Sequence, residues 1–331
     1  MLSRVAGSVY WLFRYLERAE NIARFINADL HQFLEDQGRQ GNLWVSLLAV
    51  TGDQEVFDKR YPTPTRENVI HFLTVDDEYD NSIYRCVLQA RENARSVRES
   101  ISSEMWEEIN ALYLRVRDYR NSQGRDGDAF EFCKAVIQSC YQFIGLFYTT
   151  MNRGEAWHFG RIGMLLERAD KTSRILDVKY FILLPDPTWV GTAYDNTQWA
   201  ALLKAVSGLE MYRKIYRRIG PRDVAEFLIF DRGFPRSILH CVHYSEDSLK
   251  VLSGTPRDVA LNAAQRSLFR LRTDLETGSV TEVMEGGLHG YLDGLQTRLN
   301  QVDQDVFQVF FAPKLELSRR MEHGYLGQHQ S

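Results

Sequence analysis

The residues of this chain best placed to do chemistry form two short charged stripes. One is Leu16-Glu17-Arg18-Ala19-Glu20 with Arg24, and the other is Leu166-Glu167-Arg168-Ala169-Asp170 with Arg174. On a helix the spacing i, i+3, i+7 stacks Glu17, Glu20 and Arg24 along one edge, and Glu167, Asp170 and Arg174 along another. Arg18 and Arg168 fall on the opposite flank, and Glu20 to Arg24 is an i, i+4 pair in the favourable orientation. Two chemistries are open to such stripes. In a closed interior they form a salt-bridge lattice that sets the register between helices, which is what charges bordering a packing seam usually do. Opened on a cleft, glutamates facing each other without enough arginine shift one another's pKa and bind a charged ligand or partner segment. Glu92-x-x-Arg95 and Glu210-x-x-Arg213 are weaker echoes of the same spelling, which any charged helix produces.

Metal and nucleophile patterns are sparser. A di-iron bundle needs two Glu-x-x-His pairs with two further glutamates, and only Glu155-x-x-His158 fits. His240-x-x-His243-x-x-Glu246 places three ligands on one helix face and is the metal candidate, weighed against the commoner surface or packing role of a helical histidine pair. The four cysteines (Cys86, Cys133, Cys140, Cys241) make no Cys-x-x-Cys pair and sit among apolar neighbours, as buried thiols of a reduced, cytoplasmic compartment do. No Gly-x-x-x-x-Gly-Lys loop is present to cradle phosphates. Gly286-Gly287 and Gly290 read as a helix break or close packing. The expectation is a chain without catalytic residues of its own and without a cofactor, with an enzyme subunit and a metal protein as the competing classes.

The stripes need helices to carry them. Val5, Val9, Leu12, Leu16, Ala19, Ala23, Ile26, Leu30 and Phe33 alternate steps of four and three, which predicts a helix with a narrow bundle-packing seam. Phe159, Ile162, Leu166, Ala169, Ser173, Leu176, Tyr180 and Leu183 repeat it, with Pro185 as the stop. Further helices are expected at about 42–51, 81–100, 103–120, 128–150, 197–217, 235–252, 257–276 and 280–311. Ser103 ahead of Glu104 and Glu107 reads as a cap, and Pro221, Pro235 and Pro256 suit first turns. Val69–Val75 and Val224–Phe230 read as short helices rather than strands, so the fold class is all-α.

The two stripes belong to a larger internal repeat. Displaced by 155 residues, Trp44 falls on Trp199, Leu47-Leu48 on Leu202-Leu203, Tyr61 on Tyr216, Phe72 on Phe227, Asp76 on Asp231 and Cys86-Val87 on Cys241-Val242, among fourteen identities between 44–87 and 199–242. Upstream the displacement is 150, which puts an insertion in the second copy near Pro185, Pro187 and Gly191. The expected architecture is a helical bundle of two duplicated units, about 1–150 and 151–331, packed about a pseudo-twofold as one domain over 1–331.

Composition removes several classes. With 40 basic and 44 acidic residues the net charge is −4, which disfavours sequence-independent nucleic-acid binding. The longest apolar runs, such as Tyr180 to Pro185, are too short to span a bilayer, and Arg14, Glu17 and Arg18 interrupt any secretory-signal pattern. Self-association stays open.

The opening Met1-Leu-Ser-Arg-Val-Ala, Tyr10-Trp11 and Arg14-Tyr-Leu-Glu-Arg-Ala-Glu-Asn21 resemble the bacterial alpha-E domain family over nearly the whole chain. Ala90–Arg95, Arg153-Gly-Glu-Ala-Trp-His-Phe159, Leu166–Asp170 and Phe234-Pro-Arg-Ser-Ile238 extend the resemblance, while Gly7, Phe13 and Lys171 depart from the family pattern. The resemblance implies a helical protein encoded beside, or fused to, a circularly permuted ATP-grasp protein and a transglutaminase-like protein. The expected partners are therefore an ATP-grasp-type ligase and a transglutaminase-like protein, and the expected role is that of a helper in peptide modification or amide-bond formation.

Overall fold

Both seam helices form: α1 spans Ser3–Glu35 and α8 spans Glu155–Phe181. In the computed structural model, which describes residues 1–35, 43–122, 128–181, 192–256 and 260–313, every regular element is helical and no strand occurs among the described residues. Between the two long helices lie α2 (Leu43–Thr51), α3 (Gln54–Asp58), α4 (Arg66–Thr74), α5 (Ile83–Ser96), α6 (Ser103–Asn121) and α7 (Ala129–Thr150). After them come α9 (Ala193–Ala205), α10 (Leu209–Ile215), α11 (Pro221–Phe230), α12 (Ile238–Ser253), α13 (Ala263–Thr277), α14 (Val280–Gly286) and α15 (Leu288–Val306).

The seam was expected to be narrow, and it is not. Val9, Leu12, Leu16, Ala19, Ala23 and Ile26 are buried as the spacing requires, but so are Tyr10, Phe13, Ile22 and Phe25 on other faces. The reason is tertiary: α1 is packed by α8, α5, α7 and α9, and α8 by α1, α12 and α15, so the stripe edge of each helix is interior too. Buried apolar side chains from both ends of the chain join in one core. No helix among the described residues is long and apolar enough to cross a membrane.

α1 and α8 run past each other in opposite senses, since Tyr10 meets Gly163 while Phe13 meets Gly160. Two glycines inside a helix cost about 1 kcal/mol each relative to alanine and need a packing reason. Here it is backbone approach: a Cβ on Gly163 would stand 2.4 Å from the Tyr10 carbonyl oxygen, and one on Gly160 2.6 Å from the Phe13 ring. Gly163→Ala is therefore expected to destabilise by about 1–3 kcal/mol or more. Gly294→Ala, in the middle of α15 with nothing within 4 Å, should stabilise by about 0.5–1 kcal/mol. Urea unfolding of the two variants checks the pair, and equal effects would refute the close approach.

Boundaries differ from the sequence reading where a cap or a left-handed residue decides. Ser102, not Ser103, caps α6. Pro235 precedes the Ser237 cap of α12, and Pro256 lies ahead of the Asn262–Gln265 capping box of α13, so only Pro221 occupies a first turn. The segment 197–217 divides at Ser207 (φ 51°) and Gly208. The segment 280–311, expected as one helix, divides at Gly287 (φ 95°), the break that was one of the two readings of these glycines, and ends in a π-helical turn, Phe307–Phe311. Helix α5 stops at Ser96, followed by a 3₁₀ turn at Arg98–Ser100, and α3 was not anticipated. Leu183, Pro185, Pro187 and Gly191, with 257–259, lie outside the described residues, as do the side chains of Leu30, Phe33 and Tyr180.

Candidate functional site

Where α1 and α8 cross, their Glu-Arg dipeptides exchange partners. Arg168 donates from Nε (2.9 Å) and Nη2 (2.7 Å) to the Glu17 carboxylate. Arg18 donates from Nε (2.7 Å) and Nη2 (3.1 Å) to the Glu167 carboxylate. Each is a two-pronged guanidinium–carboxylate pair, the geometry in which arginine binds most strongly and most selectively. An antiparallel crossing of two helices with glutamate and arginine adjacent makes the exchange reciprocal, since each arginine lies level with the other helix's glutamate.

The lattice extends outward from these two forks. Arg14 Nε reaches Glu167 at 2.9 Å and also bonds the Tyr10 hydroxyl and Asp303. Arg236, from the segment leading into α12, bridges Glu17 (Nη1, 2.9 Å) and Glu20 (Nη2, 2.5 Å). Arg24 closes Glu20 at 2.8 Å, Asn21 donates to Glu17 at 2.9 Å, and Arg174 closes Asp170 at 2.9 Å. Lys171 stands 3.1 Å from Asp170 and 3.6 Å from Glu167. Both pairs of acids thus gain cations from beyond the stripes, but from different places: Glu167 and Asp170 take Lys171 from the helix itself and Arg14 from α1, and Glu17 and Glu20 take Arg236 from a neighbouring segment.

The interior is closed around these charges. Glu17, Glu20 and Glu167 are 2%, 1% and 0% exposed. Burial alone would raise the Glu17 carboxyl, but Arg168 and Arg236 outweigh it and hold the pKa at about 2. Glu167 is held well below the carboxylate range against its burial by Arg18, Arg14 and Lys171, and Asp170 is lowered by Lys171 and Arg174. None of these carboxylates is a free base. Among the described residues the linked network holds more cations than acids, the reverse of the glutamate excess that would have marked a reactive cleft.

The lattice reaches the surface through Arg24. Its Nη1 donates to Ser207 Oγ at 2.5 Å and its Nη2 to the half-exposed Tyr141 hydroxyl, whose pKa falls because Arg24 outweighs partial burial. Ser207 carries the one positive φ among the described non-glycine residues, a strained setting held by its bond to Arg24. Arg174 makes the matching approach to Gly52 (φ 78°), where an added Cβ would lie 2.8 Å from Arg174 Nη1.

Of the residues singled out from sequence, Glu17, Arg18, Glu20, Arg24, Glu167, Arg168, Asp170 and Arg174 are brought together. Glu92 and Arg95 are not: they pair at 2.7 Å on the outer side of α5, with Arg91 at 2.9 Å. Glu210 and Arg213 pair at 3.3 Å on the surface. His240, His243 and Glu246 share a helix face without converging. His240 Nδ1 lies 2.9 Å from the Arg232 carbonyl, His243 lies near Asp247 and Glu276, and Glu246 is engaged by Lys250 and Arg272. No group of three histidine, cysteine or acidic side chains is placed to hold a metal among the described residues. All four cysteines are buried, and desolvation pushes the Cys86 and Cys241 thiols up to about 12. Arg14, Lys171, Arg236 and Asp303 were missed as site residues. Arg14 and Arg236 stand in the segments that carry the family resemblance and could have been noticed; nothing local marks Asp303.

The family model of Alpha-E, described as a predicted alpha-helical domain with a conserved ER motif, matches residues 1–311. The chain belongs to the Alpha-E family, and it reads Glu-Arg at two places, Glu17-Arg18 and Glu167-Arg168. An uncharacterized protein of Mycobacterium bovis and one of Mycobacterium tuberculosis strain CDC 1551 are each 24% identical over 344 residues, covering 96% of this chain and 38% of the relative. A third, from M. tuberculosis strain H37Rv, is 23% identical over the same coverage. The chain thus spans 38% of the length of these curated relatives. No solved structure matches it.

Proposed function

We propose that this Alpha-E protein is a non-catalytic interaction protein whose Glu-Arg motifs serve as an internal register lock, and that it works beside an ATP-grasp-type ligase in peptide modification. The observation that carries the first part is the closure of the lattice: each stripe carboxylate is buried and held by two or more cations, leaving no free base among them. A buried charged network of this kind constrains which helix faces can meet, because any slip strands several charges. The ligase partnership rests on the family resemblance. The relatives' extra length is consistent with a module that operates next to other modules.

The register lock fits a duplicated molecule of one domain. In support, α5 packs on α1 and α6 on α5 as α12 packs on α8 and α13 on α12, with α7 against α1 and α6 as α15 is against α8 and α13. Ser82 donates to the Asp76 carbonyl at 2.6 Å, and Ser237 donates to that of Asp231, 155 residues further on.

The test is capture of the tagged chain from its native organism, followed by ligase assay of what it retains. Retention of an ATP-grasp-type protein whose rate changes on adding the chain is the expected result; no association and no change in rate would overturn the helper role. The enzyme-subunit reading has one observation in its favour, the strained Ser207 beside Arg24 and Tyr141. It would gain if Ser207→Ala lowered the ligase rate without moving the unfolding midpoint.

A further inference from the structure

Arg161 stands outside the pairing rule that governs the lattice. It lies one turn beyond His158 on α8, facing the last turns of α12, and between them runs a groove of about 400 Å³, a size ordinary for small-molecule sites. Its guanidinium carbon stands 5.1 Å from the Trp157 ring centroid and 4.8 Å from that of Tyr244. No carboxylate closes it among the described residues. Its Nε and the Nδ1 of His158 are both buried atoms without a hydrogen-bond partner. Such atoms normally find a partner in protein, water or ligand, because leaving them unpaired costs about 1–3 kcal/mol. Trp157 is itself fixed, buried and stacked on Phe147 at 5.3 Å, so the rings hold the cation in place before anything binds.

The other wall has the opposite sign. Asp247 lines it, with His243 at 3.8 Å as its ion-pair neighbour among the described residues, and α12 ends there at Gly254, so the negative end of the helix dipole adds to the carboxylate. Lys250, on the same wall as Asp247, is taken up by Glu246 at 3.0 Å. A simple anion on Arg161 would therefore face Asp247, and a simple cation on Asp247 would face Arg161. A ligand carrying both charges a few ångströms apart leaves neither unopposed.

We propose that this groove binds a small zwitterion of the α-amino-acid type, its carboxylate on Arg161 with His158 and its ammonium towards Asp247. The site is separate from the lattice and does not depend on the ligase partnership. The test is calorimetric titration of the full chain with glycine, alanine, glutamate, lysine and phenylalanine, and with acetate, methylammonium and inorganic phosphate as probes carrying charge of one sign. At least one amino acid should bind at one site per chain, with acetate, methylammonium and phosphate roughly tenfold weaker or more. Arg161→Gln and Asp247→Asn should each weaken it by roughly tenfold, one charge-assisted hydrogen bond's share. Their unfolding midpoints, expected to stay near that of the parent, separate loss of binding from loss of fold. The proposal is overturned if no amino acid binds at about millimolar concentration, if a probe carrying charge of one sign binds as tightly, or if binding survives Arg161→Gln in a folded variant.

Discussion

Glu167→Gln is expected to cost about 3–5 kcal/mol of folding stability, the range for breaking one side of a buried ion network. The glutamine keeps the shape of the side chain and removes its charge, so Arg14 and Arg18 lose their common counterion in an interior where Glu167 is 0% exposed. Neither arginine can shed its proton to escape, because the guanidinium stays charged throughout the accessible range. Glu92→Gln, which gives up only the partly exposed pairs with Arg91 and Arg95, should stay within about 0.5 kcal/mol. Urea unfolding at neutral pH with a common m-value measures both. A double-mutant cycle across Arg18 and Glu167 should give a coupling of about 0.5–3 kcal/mol, since the two groups share one fork. A Glu167→Gln loss no larger than that of Glu92→Gln would mean the crossing is solvated, and the register-lock reading would fail with it.

How far the sequence could be read follows from the range over which each feature is encoded. The helices were legible because their signals are local: the 3–4 spacing of Val9, Leu12, Leu16 and Ala19 fixes one face whatever else the chain does. The stripes were legible for the same reason. That Glu17 would take its fork from Arg168 rather than from its own helix was not, because the choice is made by an antiparallel crossing that brings 17 and 168 level. The glycines that allow the crossing, Gly160 and Gly163, were not singled out, although two helix-weakening residues three apart beside the second stripe were the available clue. Arg236 and Asp303 reach the lattice only through the packing of α12 and α15 on α8, which no local pattern records. The split of 197–217 at Ser207 was hidden because serine rarely takes a left-handed backbone, and the bond from Arg24 that holds it there is tertiary.

The same network sets how stability depends on pH. Glu17, Glu167 and Asp170 all have folded pKa values below their ordinary ones, with Arg168 and Arg236 taking Glu17 from 4.5 down to about 2. At neutral pH they are ionised in both states, so their stabilising contribution is fully present. As pH falls through the unfolded values near 4, the unfolded chain takes up protons that the folded chain refuses, and stability declines until the folded values are reached. For Glu17 the interval from 4.5 to about 2 corresponds to about 3 kcal/mol. With three such groups titrating together the slope can approach about 4 kcal/mol per pH unit. The arginine partners Arg14, Arg18 and Arg168 are shifted upward and stay charged over this range, so they add nothing to it. His158 and His240, lowered by burial, contribute in the same direction at a higher pH, as the unfolded chain protonates them first; both are partly exposed, so their share is small. The expected profile is flat from pH 9 to 7, shallow to about 5, and steep from about 4.5 downward. Urea midpoints across that range trace it. Glu17→Gln, less stable at pH 7, should lose less on acidification than the parent, so that the two curves converge towards pH 2. Parallel curves would show that Glu17 carries no proton linkage and that its contact with Arg168 is not the one holding the helices in register.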